Sequence, residues 1–438
     1  MRMQDPLPRW LELYEELAKD LRLSADHILK LGREERLKVL RATDELREEF
    51  VLWVVGSEAI DEAREWIGHL VEQLEDARRV LGLRGVTLTR ELGSFMRDPL
   101  GHLKKKIFNY TFQLLSGAMS ATEFASKAAA AVRTSLRTNM RTLYQTWVFL
   151  ALVKMIGDGG RVIYPEHRYL YLERNARQRT GMIPPNCILR SADGRVLSFF
   201  VEAPRPIAWE DTSDLERAWR FYVALRPDFL IYGGVVMDIV NLSGSPPIRR
   251  PNVIIECKEL EDWYRRARDL RGWWSKAMSA EEWRALWLRG LIEGLAEVVG
   301  VKPRSAPKAK GGRKALRVRE YKLVQIYKRV YSPDSMILVA RAELPSEIRA
   351  EMEAYGLSVY DGVGFDEGAL REVAEEVLRH GRAEPPSLRD AVERALRGAE
   401  VDEEVVERAI ATLVERHRDE FVKLVRELSE AGRASSRG

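Results

Sequence analysis

Two runs in this chain are apolar at consecutive positions: Val253-Ile254-Ile255, leading into Glu256-Cys257-Lys258, and Met336-Ile337-Leu338-Val339-Ala340. A strand with one wet face alternates apolar and polar residues, so unbroken runs of this length read as strands covered on both faces. The chain is thereby held to a central sheet with layers of helix above and below it. Helical periodicity supplies those layers. Trp10, Leu13, Tyr14, Leu17 and Leu21 recur at helical spacing, Phe50 to Arg79 reads as one long amphipathic helix, and Ser24-Ala25-Asp26 caps a short helix that Gly32 stops. Residues 99–157 are again helical, with Tyr144, Val148, Leu152 and Met155 on one apolar face.

Gly157-Asp158-Gly159-Gly160 ends the helical half, and the period then changes. Residues 161–173 contain an alternating stretch. Cys187 to Arg190 and Arg195 to Val201 flank Ala192-Asp193-Gly194, a hairpin turn signal. Phe229 to Tyr232 leads to the turn Gly233-Gly234, with Val235 to Leu242 continuing as a strand. Residues 262–299 read as helix and carry five of the eleven tryptophans, and residues 300–319 as a basic, mobile loop. Tyr321 to Tyr331 is a helix, Ser335 to Arg341 a buried strand, Pro345 to Tyr355 a helix and Leu357 to Tyr360 a last strand. The expected organisation is a helical region over 1–98, an α/β domain over 99–380 and a charged helical region over 385–438, with a disordered tail from Ala431.

Composition narrows the function classes. At 438 residues, 45% hydrophobic and 32% charged, the chain has enough apolar material for a substantial core and is not of the disordered class. Two cysteines, Cys187 and Cys257, exclude a disulfide scaffold and a multi-cysteine metal site, and fit a cytoplasmic setting. No apolar run is long enough to span a bilayer, so no membrane association is expected. The six histidines are scattered without metal-ligand spacing, and there is no Walker loop or dinucleotide-binding glycine motif. Net charge is only +4, but residues 299–322 hold nine lysines and arginines against Glu320 alone. A local basic strip of this kind suits a polyanion.

Chemistry concentrates at Pro227-Asp228, opening one apolar strand, and Glu256-Cys257-Lys258, closing another. Side chains alternate along a strand, so Glu256 and Lys258 share a face while Cys257 packs on the other and leaves its carbonyl to bind a metal. A hairpin-like connection would bring Asp228 beside Glu256. Two carboxylates and a carbonyl make a hard-oxygen site for Mg²⁺, with Mn²⁺ as a substitute. Lys258 could orient or deprotonate a water, or offset charge developing on a phosphate. Two similar patterns, Glu320-Tyr321-Lys322 and Pro333-Asp334, lack this strand setting.

Pro227, Asp228, Glu256 and Lys258, with Cys257 in the variable position, resemble the motif of the PD-(D/E)XK nuclease superfamily. The resemblance covers about the central half of the chain. It implies a restriction-endonuclease-like core, a mixed central sheet flanked by helices, with α-helical additions at both ends. It also implies Mg²⁺-dependent cleavage of phosphodiester bonds, DNA being preferred to RNA on this ground alone. Leu143 to Leu150 resembles the first core helix of the nuclease subunits of McrBC-type restriction systems. Many relatives carry a glutamate there near the metal, where this chain has the neutral Gln145. Either a ligand is lost or another acid, Glu166 or Glu202, replaces it. Gln325 and Tyr331 are similar to the glutamine–tyrosine helix of RecB-type members.

Arg133, Arg137 and Arg141 fall four apart on one helix stripe, which suits phosphate contacts or a solvated, ion-paired face. Lys308, Lys310, Arg313 and Lys314 either clamp nucleic acid or belong to a plain insertion. The tryptophans stack bases or pack, and Lys104-Lys105-Lys106 reads as surface. The expected activity is a DNA nuclease working alone, as a homodimer or with a partner subunit. The alternative is an inactive nucleic-acid-binding or complex-assembly protein on the same fold.

Overall fold

The computed structural model describes residues 8–20, 32–172, 184–203, 226–239, 249–270 and 316–383, and positions 408, 411, 412 and 415. Met1–Arg382 form one compact unit, and Ala383–Gly438 form a second, of which Ala383 and four helical positions, 408, 411, 412 and 415, are described. The boundary expected at residue 98 lies inside the first unit.

That unit begins with helices α1 (Arg9–Asp20), α2 (Arg33–Ala42), α3 (Asp44–Val55), α4 (Ser57–Leu81), α5 (Arg90–Arg97), α6 (Pro99–Leu115) and α7 (Ala121–Gly157). The helix expected over 50–79 is broken. Gly56, with φ of +81°, separates α3 from α4, a backbone conformation that costs glycine little. Side chains cap the later helices. Asp98 Oδ1 accepts from Gly101 N at 2.9 Å with Pro99 at the first helical position, and Ser120 Oγ accepts from Glu123 N at 3.2 Å. Phe50 packs edge-on against Trp10, centroids 5.1 Å apart, and within 4.7 Å of Phe124, tying α1, α3 and the start of α7 together. Lys104, expected at the surface, is largely buried. Its ammonium donates to Asp44 and Glu48 at 2.7 Å each, which makes burying the charge tolerable.

Strand β1 (Gly85–Thr87) lies between α4 and α5, and the others come after α7: β2 (Arg161–Tyr164), β3 (Tyr169–Tyr171), β4 (Cys187–Arg190), β5 (Arg195–Val201), β6 (Phe229–Gly233), β7 (Val253–Lys258), β8 (Ala267–Leu270), β9 (Leu316–Arg319), β10 (Ser335–Ala340) and β11 (Ser358–Tyr360). The central sheet is mixed, in the order β11-β10-β7-β6-β5-β4-β2, and the short β12 (Arg382–Ala383) pairs with β5 off this path. Pairing is parallel from β11 through β10 to β7 and antiparallel from there to β2. Helices α8 (Glu320–Tyr331), α9 (Ser346–Ala354) and α10 (Arg371–Arg379) complete the unit. The protein is thus α/β, with a mixed sheet flanked by helices. Both apolar runs are buried at every position, as strands covered on two faces must be. Ile231, Ile255, Cys257, Ile337 and Val339 join α4 and α7 in one core, each large side chain contributing about 1.5–3 kcal/mol.

Some sequence expectations are corrected. The turn after β4 forms as expected, with Gly194 at φ of +86°. Residues 235–239 are not strand: Ser198 Oγ accepts from Val236 N at 2.9 Å, so the chain leaves the ladder there. The start of the expected tryptophan helix is a 3-10 turn, Trp263–Arg265, followed by β8, which pairs antiparallel with β9. The end of the expected basic loop is therefore strand, because cross-strand pairing at 316–319 overrides local composition. Residues 271–315 lie outside the described residues, as do the short helix before Gly32 and the C-terminal tail. No helix among the described residues is long and apolar enough to cross a membrane.

Candidate active site

The register of β6 on β7 builds the site. Phe229 pairs with Ile255, so the next positions outward, Asp228 and Glu256, stand opposite each other where the ladder ends. The backbone then gives way to side chains. Asp228 N donates to Glu256 Oε2 at 3.3 Å, and Asp228 Oδ2 accepts from Cys257 N at 2.7 Å. The N–H and C=O of one strand residue point to the same side, so the Cys257 carbonyl also turns toward Asp228, while its thiol lies in the core. Lys258 shares the face of Glu256, as alternation requires, and its Nζ lies 2.8 Å from Glu256 Oε1. The indole of Trp263 sits under the ammonium at 5.3 Å, and Glu320 Oε2 is 4.0 Å away.

Helix α7 supplies the third wall. Arg137, Arg141 and Gln145 are spaced by four, one face of the helix climbing from solvent to the carboxylates. Gln145 Nε2 donates to Asp228 Oδ1 at 2.6 Å. Together these groups line a cavity of about 960 Å³, within the size range of ligand sites. Glu202, whose φ is +41°, a backbone region that costs a non-glycine residue about 1–2 kcal/mol, also lines it, and its N–H donates to the Asp228 carbonyl at 2.8 Å.

Burial, followed by the charge of Glu256, pushes the Asp228 carboxyl well above the usual range, against the opposing pull of Lys258 and the Cys257 N–H. Burial pulls the Lys258 pKa down, but Glu256 and Asp228 outweigh it and push it up. Arg141 is half-buried, and Asp228, Glu202, Glu259 and Glu256 hold its charge in place against that burial. Its Nε has no hydrogen-bond partner among the described residues. Burial raises the Glu259 carboxyl. The cavity is therefore a set of partly desolvated carboxylates faced by arginines.

The structure brings Gln145, Asp228, Glu256, Cys257, Lys258, Glu202, Arg137 and Arg141 to this cavity. It does not bring the others. Glu166 is exposed in the turn after β2, and Arg133 is exposed and lines no part of the cavity. Gln325 donates to Glu351 at 3.3 Å, and Tyr331 is buried against Tyr327. Tyr327 lines the cavity where Gln325 and Tyr331 do not: Gln325 lies on another face of α8, and Tyr331 shares the face of Tyr327 one turn further along. Lys308, Lys310, Arg313 and Lys314 lie outside the described residues. Sequence reasoning missed Glu259, Trp263 and Glu320. Glu259 directly follows the Glu-Cys-Lys motif, and Glu320 belongs to the second Glu-x-Lys, set aside because it follows a basic stretch. Asp334, in the second Pro-Asp, is tied to Arg250 and accepts from Asn252 Nδ2 at 2.7 Å.

Among the described residues, no three histidine, cysteine, aspartate or glutamate side chains converge as a metal cage. The donor set here is smaller: two carboxylates and a backbone carbonyl. Each carboxylate oxygen of Asp228 and Glu256 accepts one protein hydrogen bond and keeps a second lone pair. Two buried like charges, with Asp228 starved of solvation, fit a hard divalent cation. Comparison with protein-family models, curated proteins and solved structures finds no match to this chain.

Proposed function

We propose that this protein is a metal-dependent nuclease that hydrolyses phosphodiester bonds in DNA, its site resembling that of PD-(D/E)XK nucleases. The observation that carries the reading is the convergence of Asp228, Glu256 and Lys258 on one cavity at the ends of adjacent strands. Asp228, Glu256 and the Cys257 carbonyl would hold Mg²⁺ or Mn²⁺, which when bound polarises a phosphate and activates a water. Lys258, fixed by Glu256, presents an ammonium that orients the attacking water and offsets charge growing on the phosphate oxygens. Arg141 and Arg137 stand on α7 to take the flanking phosphates. Gln145 holds the Asp228 carboxylate in one orientation.

The same Gln145 favours one other reading, a nucleic-acid-binding or assembly protein that no longer cuts, since a neutral amide replaces the acid expected beside the metal. The test is cleavage of supercoiled plasmid and of a single-stranded oligonucleotide with Mg²⁺ or Mn²⁺. The nuclease reading predicts cleavage by wild type and loss of at least a hundredfold in Asp228→Ala and Lys258→Ala. A wild type that binds DNA without cutting establishes the other reading, and equal cutting by all three proteins refutes the residue assignment.

A further inference from the structure

A second cavity, of about 890 Å³, opens on the far side of Arg141. Thr138, Arg141 and Glu202 line both cavities, so the two meet at the arginine. The second lies along the earlier turns of α7, between that helix and α5–α6. Its character differs from the first. Ala130, Ala131 and Thr134 give α7 a low wall of small side chains there, and Tyr110 lines the cavity from α6. Ser135 and Asn139 supply hydrogen-bonding groups, and they also contact the buried imidazole of His102, Ser135 Oγ at 3.3 Å. The lysines at this cavity are already paired: Lys106 with Glu91, and Lys127 with Glu123 at 2.6 Å. Among the described residues, the basic side chain at this cavity with no ion pair within 4 Å is Arg141, which stands at the junction, facing the carboxylates of the first cavity, and not at the far end.

A low wall of small side chains, an aromatic ring and a few amide and hydroxyl groups suit a nucleobase. A half-buried arginine that lines both cavities suits the phosphate linked to it. Resting on the nuclease reading for the first cavity, we propose that the second cavity takes the unpaired nucleotide next to the bond being cut, so that the substrate is single-stranded or locally unpaired DNA. A base that is stacked and paired in a duplex cannot reach a cavity behind the phosphate line without leaving its stack, and an unpaired base can do so at low cost.

The test fills the cavity. Thr134 is exposed on α7 yet lines the cavity, so Thr134→Trp occupies the space with little demand on folding. Ala131→Trp is the second variant, and thermal melts establish that each is folded. Fluorescence anisotropy with a fluorescein-labelled 20-nucleotide oligo(dT) and with a 20-base-pair duplex, without divalent metal, reads binding independently of cleavage. The expected result is a fall of at least tenfold in the preference for oligo(dT) over duplex in Thr134→Trp. An unchanged preference in both folded variants overturns the proposal, as does a wild type that binds duplex as well as oligo(dT), or neither. If the preference falls while Mg²⁺ assays show no cleavage by wild type, the nuclease reading fails and the nucleotide cavity stands.

Discussion

Replacing Gln145 by glutamate turns the contact that orders Asp228 into a test for the proposed cation seat. The amide nitrogen lies 2.6 Å from Asp228 Oδ1, so Gln145→Glu sets one carboxylate oxygen against another in a buried site. Two unit charges about 4 Å apart repel by about 4 kcal/mol at an effective dielectric constant near 20. The protein escapes part of this by keeping a proton on one of the pair. At pH 7 that costs at most about 3.7 kcal/mol for a glutamic acid of ordinary pKa near 4.3, and the acid–carboxylate hydrogen bond so formed returns about 1–2 kcal/mol. The net loss is about 2 kcal/mol. Unfolding entropy near 2.1 cal/mol/K per residue gives a 382-residue unit about 0.8 kcal/mol/K, so Tm falls by about 2–3 °C. The sign follows from linkage. The new carboxyl has a folded pKa above its unfolded value, so the loss is absent below about pH 4 and grows as pH rises toward the folded pKa. Metal reverses it. A third carboxylate tightens a divalent site, and Mg²⁺ at about 100 times its Kd stabilises by about 2.7 kcal/mol, which offsets the whole deficit. Differential scanning calorimetry at pH 5 and pH 7, with and without Mg²⁺, makes the measurement, with Gln145→Leu as the control that loses the hydrogen bond without adding charge. If Gln145→Glu melts with wild type at pH 7 and Mg²⁺ moves it no further than Gln145→Leu, the site does not seek a cation.

Gly160→Ala drives a methyl group to 2.1 Å from the Arg190 carbonyl of β4, where the turn from α7 into β2 passes it, and a loss of about 2 kcal/mol in urea unfolding is expected; wild-type stability would show that the turn has room. His102 is held below its ordinary value of 6.5, first by burial and then by the charges of Lys106 and Lys105, with Glu91 acting the other way. The unfolded chain therefore binds a proton that the folded chain refuses, so stability declines as pH falls from 6.5 toward the lower folded value. His102→Gln removes that part of the pH dependence, and an unchanged slope in urea midpoints between pH 7 and pH 5 would contradict it.

The sheet was legible where the physics is short-ranged. Val253–Ile255 and Met336–Ala340 announce strands buried on both faces, and Asp193-Gly194 announces a hairpin, since both signals depend on neighbours in sequence. The junction at Gly56 was not legible, because the apolar rhythm of α3 runs on into α4 and only tertiary packing sets the break. Residues 316–319 read as loop because their partner strand, 267–270, lies some fifty residues away and itself read as helix. The site divides in the same way. Alternation along β7 was enough to pair Glu256 with Lys258, and one hairpin register was enough to bring Asp228 opposite Glu256. The reach of Glu320 toward Lys258 depends on how α8 docks, which no local pattern encodes, and its setting after basic residues concealed it. Gln325 and Tyr331 had the right residue types, but Gln325 lies on another face of α8 and Tyr331 one turn too far along, and Tyr327, between them, reaches the cavity instead.

The central claim is a divalent cation seat between Asp228 and Glu256. The most direct measurement is Mn²⁺ binding followed by electron paramagnetic resonance, comparing wild type with Asp228→Asn. Asparagine can keep both contacts, accepting from Cys257 N while Gln145 turns its amide to accept from the new NH₂ group, so the fold is retained and only the charge is lost. The account predicts a saturable site with a stoichiometry of about one in wild type, weakened at least tenfold in Asp228→Asn. Equal binding by both proteins, or no saturable site in the wild type, contradicts it.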